Sequence, residues 1–158
     1  MSHLHVYLND HLAGSVAALD LLDHLIGMNQ GSDLGQVFAE LRAEIAADQA
    51  VLQSVLRNAG AEESSPKKAI AWLAEKIARV KLQLLGEIDA AGLHEALEGL
   101  SLGIMGKRAL WRSLAAAASA SRTLQGPDYE QLESRAMEQF EKVDALSLTI
   151  APSALTGT

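Results

Sequence analysis

The stretch LGQVFAELRAEIAADQAVLQSVLRNAG, residues 34–60, decides the fold. Leu34, Val37, Leu41, Ile45, Leu52, Val55 and Leu56 recur in it at helical spacing, and Gly60 supplies a stop. Ser32, just ahead of the run, is suited to cap it, because its hydroxyl can accept from an otherwise unpaired amide of the first turn.

Working outward, a first helix is predicted from about Leu4 to Ile26, with Leu4, Leu8, Leu12, Leu19, Leu22 and Ile26 on its apolar stripe. The break from Gly27 to Asp33 is short enough to make these two helices antiparallel neighbours. Ser65-Pro66 starts a third helix reaching about Leu85, since Ser caps and Pro sits where no amide hydrogen is needed. A fourth helix runs from near Gly92 towards Ser121 through Leu93, Leu97, Leu100, Ile104, Trp111 and Leu114. Gly126-Pro127-Asp128 resets the chain, and a fifth helix from Tyr129 is expected to end at Pro152. The predicted fold class is all-α: an antiparallel four-helix bundle with an additional shorter amphipathic crossover helix. One domain is assigned to residues 1–152, with a disordered tail at 153–158.

Composition agrees with helices and narrows function. The 158 residues are 49% apolar but only 4% aromatic, a balance that favours closely packed helices over sheets. Folding a chain of this length buries roughly two-thirds of its surface. A net charge of −7 argues against nucleic acid as a partner, because phosphate binding needs clustered Lys and Arg. The absence of cysteine excludes disulfides, thiolate nucleophiles and cysteine-held zinc. No stretch resembles a signal peptide or a spanning helix, so a cytoplasmic location is expected.

Three polar residues interrupt the apolar stripes: His11 on the first helix, Asp48 on the second and Lys107 on the fourth. A turn centred between Met28 and Gly31 sets His11 opposite Asp48, where the carboxylate can accept the ring N–H and hold its tautomer. Lys107 lies on the stripe Leu100, Ile104, Lys107, Trp111 and Leu114. Because an isolated buried charge is costly, Lys107 is expected to pair with Asp48, Glu44 or Glu138. The three form one predicted mid-bundle cluster, read as a device fixing helix register rather than as an active site. The glycines Gly99, Gly103 and Gly106 each cost the fourth helix about 1 kcal/mol relative to Ala, and close approach of a neighbouring helix is the expected compensation, with a bend in the helix as the alternative.

Helix order, with residues 65–85 crossing between the second and fourth helices, resembles the ferritin-like superfamily. Members that bind two iron or manganese ions carry an inward Glu on two helices and Glu-x-x-His on the other two. Here Glu44-Ile-Ala-Ala47 and Glu138-Gln-Phe-Glu141 stand where the Glu-x-x-His motifs belong, and both histidines are missing. The resemblance therefore implies a degenerate metal site, with Glu44, Glu98 and Glu138, joined by Asp48 and His11, as ligands in the metal-binding alternative. Through Tyr7-Leu-Asn-Asp-His11-Leu-Ala-Gly14, Ala71-Trp-Leu-Ala-Glu-Lys76 and Gly106-Lys-Arg-Ala-Leu-Trp111 the chain is also similar to small bacterial helical proteins without an assigned activity.

One helix is basic. Lys67, Lys68, Lys76, Arg79 and Lys81 outweigh Glu75, and Trp72 lies among them, a pattern suited in the second alternative to an anionic surface such as a membrane. Gly99-Ser-Leu-Gly-Ile-Met-Gly-Lys107 lacks the Walker A spacing and a preceding strand, and no Gly-x-Ser-x-Gly elbow exists. The expectation is a non-enzymatic interaction or stress-related protein without a resident cofactor, able to form a homodimer through an apolar helix face.

Overall fold

The computed structural model describes residues 2–61, Glu75 and 89–158. Four long helices carry the described chain: α1 (His3–Met28), α2 (Asp33–Asn58), α3 (Ala90–Ala118) and α4 (Tyr129–Thr156), with a single 3-10 turn at Arg122–Leu124 before α4. No strand occurs among the described residues. The predicted third helix, with Lys67, Lys68, Trp72, Lys76, Arg79 and Lys81, lies outside them.

Each helix begins where a short polar side chain can accept from its first turn. Ser2 accepts from His5, Ser32 from Gly35, Asp89 from Gly92 and Asp128 from Gln131, all at backbone amides. Glycines in the left-handed region follow the ends of α2 and α4, Gly60 at φ 72° and Gly157 at φ 69°. Pro152 does not end α4. It removes one helical hydrogen bond at an exposed position, and the helix continues to Thr156, whose hydroxyl donates to the Pro152 carbonyl at 2.6 Å. Residues 153–156, expected in the tail, are thus helical.

Two apolar clusters stack along the helices. In one, Leu22 and Leu25 of α1 meet Phe38 and Leu41 of α2, Leu97 and Leu100 of α3 and Val143 of α4. In the other, Leu8 and Leu12 meet Val55 and Leu56, Trp111 and Leu114, and Tyr129 and Leu132. The late part of α1 therefore shares a layer with the early parts of α2 and α3 and the late part of α4. Ala61 belongs to the second layer and Leu93 to the first, so the two edges of the undescribed segment stand at opposite ends.

The α1–α2 pairing is antiparallel, as expected, but its register differs. Gln49 Nε2 donates to Ser15 Oγ at 2.9 Å, His5 Nε2 contacts the Ala59 carbonyl at 3.0 Å, and Arg42 bridges Asp23. These pairs set His11 level with Gln53, about 7.5 Å along the axis from Asp48 at 1.5 Å per residue. The chain turns later than the glycine spacing suggested, because α1 continues through Gly27 to Met28 and the reversal uses Asn29 to Ser32 around Gly31, at φ 76°.

Gly35 is the glycine this turn requires. A Cβ there would overlap the Asn29 carbonyl oxygen, which already accepts from the Ser32 amide and hydroxyl. A Cβ on Gly14, within α1, would meet no atom within 4 Å. In urea unfolding, Gly35→Ala should therefore destabilise the protein by about 1–3 kcal/mol. Gly14→Ala should be neutral or stabilise it by up to about 1 kcal/mol.

Candidate functional site

The polar centre is built on three helices. Asp48 continues the stripe Leu41–Ile45 into Leu52, so its carboxylate faces inward and is 1% exposed. Lys107, in the corresponding place on α3, donates from Nζ to Asp48 Oδ2 at 2.6 Å. Arg135 of α4 donates to the other oxygen, Oδ1. Gln139 of α4, fully buried, completes the arrangement. Its carbonyl oxygen accepts from the Lys107 ammonium, while its amide nitrogen donates to Glu44 Oε2 at 3.1 Å and towards Asp48 Oδ2 at 3.4 Å. This orientation matches the charges, with oxygen towards the cation and N–H towards the carboxylates. Lys142 stands 3.9 Å from Glu44 at the exposed rim.

Electrostatics explains why the group is collective. Asp48 alone at this depth would face a large desolvation penalty, and two cations plus an amide offset it. The Lys107 side chain is 13% exposed. Burial pushes its pKa below the ordinary lysine value, the attraction of Asp48 opposing that shift and nearby Arg135 adding to it. Between the lowered folded value and 10.5, the unfolded chain binds more protons at this position than the folded one. Lys107 therefore contributes a stability that rises with pH through that window.

The structure brings together Asp48 and Lys107 and leaves His11 out. The reason is the α1–α2 register, which carries His11 more than one turn away. There the ring makes an edge-on contact with Tyr7, one turn back on α1, at 4.7 Å between centroids. Burial lowers the His11 pKa, partly opposed by Asp10.

Arg135 and Gln139 went unrecognised in the sequence. Gln139 did leave a signal: from Ala136 to Val143 a helical stripe can step through 139 or 140, and the glutamine, not Phe140, is the fully buried choice. Arg135 left none, since it flanks the stripe and reaches inward along its own stem, 33% exposed.

The proposed metal ligands do not converge. Glu44 is engaged by Gln139 and Lys142, Glu98 points to solvent beside His94 at 3.8 Å, and Glu138 is exposed because Gln139 takes the inward phase. Among the described residues no three His, Asp or Glu side chains stand close enough to hold a metal ion. The donor set does not fit an iron or manganese pair, because two cationic side chains fill the polar centre and claim both Asp48 oxygens. Chemically, such a centre can fix the register of α2, α3 and α4. It offers no unclaimed base or nucleophile.

No protein-family model matches the chain, and no curated protein or solved structure matches it.

Removing one partner should strand the others. Asp48→Ala leaves Lys107 and Arg135 facing each other with no shared counter-charge, and should lose about 3–5 kcal/mol in denaturant unfolding. Combined with Lys107→Met, the loss should fall well short of the sum of the single effects. His11→Ala should add to Asp48→Ala without coupling, and a coupling between them would contradict the register described above.

Proposed function

We propose that this chain is a non-enzymatic helical-bundle protein of ferritin-like layout, whose polar centre holds its helices in register where metal-binding members of that superfamily hold ions. Its role, on this reading, is interaction with other protein surfaces, in the bacterial cytoplasm and in a stress-related setting. The observation that carries the proposal is the Lys107 ammonium, set between Asp48 and Gln139 in the middle of the bundle. A cage for a divalent cation needs carboxylate oxygens free to converge, and here a side-chain cation already uses them.

The layout is supported by the layering of the helices. α1 and α4 run one way and α2 and α3 the other, so the end of α2 and the start of α3 stand at opposite ends of the bundle. A long crossover after the second helix is the topological mark of the ferritin-like arrangement. Gln139 then occupies the inward position on α4 where a metal-binding member would place a carboxylate.

Elemental analysis of protein purified without a histidine tag tests this reading. Iron, manganese and zinc are expected to be far below one per chain, before and after incubation with each metal and desalting. Stoichiometric retention of any of them, lost in Glu44→Gln or Asp48→Asn, would favour the metal-binding alternative and overturn the proposal.

A further inference from the structure

The glycines of α3 do not meet the close helix contact expected for them. A Cβ on Gly99, Gly103 or Gly106 would meet no atom within 4 Å, and Gly99 and Gly103 are exposed. Three residues that each cost about 1 kcal/mol of helix propensity gain no compensating contact among the described residues. They border a side chain that is itself out of place. Leu102, between Gly99 and Gly106 on the same face, is 68% exposed. Ala109 and Ser113 continue this outward line, also exposed.

Charge along the face is polarised. Glu98 stands at its early end and Arg112 at its late end, each 62% exposed, and the line between them from Gly99 to Ala109 is uncharged. Each also has a partner within the chain, His94 at 3.8 Å from Glu98 and Glu133 at 3.6 Å from Arg112, contacts that leave both side chains largely exposed. A face negative at one end, positive at the other and apolar between them is complementary to itself when reversed.

We propose that this outward face of α3 is the contact between two copies of the chain, packed antiparallel and crossing near Gly106. Leu102 of each copy lies against Ala109 of the second, Glu98 of each faces Arg112 of the second, and the bare backbone at Gly106 lets the two helices approach closely. Two-fold symmetry makes the contact isologous, so it closes at a dimer. A parallel arrangement is disfavoured, because it sets Glu98 against Glu98 and Arg112 against Arg112. One helix face is smaller than the roughly 1,600 Å² of a standard stable interface, so the dimer is weak and depends on concentration. The inference gives the interaction role proposed above a specific partner, but its test is separate from metal content.

Sedimentation velocity across a range of concentrations reads the association directly. The wild-type chain is expected to pass from monomer to dimer as concentration rises, and Leu102→Asp to weaken the dimer by about tenfold or more, equivalent to about 1.4 kcal/mol. Glu98→Arg should weaken association and Glu98→Arg/Arg112→Glu should restore it, while Leu148→Asp, on the outward face of α4, should change nothing. Because the chain has no cysteine, Gly106→Cys should form a disulfide dimer on mild oxidation. The proposal is overturned by a wild-type monomer at every concentration, by a dimer indifferent to Leu102→Asp, or by one dispersed by Leu148→Asp. With a thiol–amine cross-linker in place of oxidation, capture of Lys67, Lys68, Lys76 or Lys81 of the same chain by Gly106→Cys, without the symmetric dimer, would identify residues 62–88 as the occupant and equally overturn it. A monomeric result would leave the metal-free centre standing, since elemental analysis reads that independently.

Discussion

Water has almost no access to Asp48, and a carboxylate in that position must find its solvation inside the protein. That requirement reaches three helices. Lys107 on α3 and Arg135 on α4 each claim one oxygen, and Gln139 links the ammonium to Glu44 and Asp48. Because these side chains must meet at one level, sliding α2, α3 or α4 by one turn relative to the others would leave a charge buried without a partner. Apolar packing alone is more permissive, since leucine-rich stripes tolerate shifts that keep their volume. The two apolar clusters bind the helices together, and the polar centre selects one alignment of them.

Much of this was legible in the residues. The stripe around Asp48 and that around Lys107 have unambiguous helical phase, and a buried carboxylate and a buried ammonium on facing helices have strong reason to pair. The caps at Ser32 and the stop at Gly60 follow from local chemistry, which needs no knowledge of the rest of the fold. The position of His11 depended instead on where the α1–α2 reversal is centred. Moving that centre by two or three residues shifts cross-helix pairs by about five, enough to replace Asp48 by Gln53 as the facing position. Periodicity locates a residue around a helix well but along a partner helix poorly.

The misjudged glycines and proline share another cause. The cost of glycine within a helix argues for a close neighbour at Gly99, Gly103 and Gly106, but the side of the helix they occupy decides whether one is there. Their angular positions place them away from Leu97, Leu100 and Ile104, on the open side of α3. Pro152 has the chemistry of a terminator, yet on an exposed turn its lost hydrogen bond is readily replaced by water and α4 continues beyond it. In both cases the residue type was informative and its exposure decided the meaning.

The central claim is that Lys107 is enclosed with Asp48 and Gln139 and not extended into solvent. Nitrogen-15 NMR of the lysine side chains, with Lys107 assigned by Lys107→Met, tests this directly. The expected result is an ammonium signal protected from solvent exchange at neutral pH, titrating below the ordinary 10.5 and losing its protection in Asp48→Asn. A Lys107 signal that exchanges as fast as those of surface lysines and titrates at or above 10.5 would contradict it.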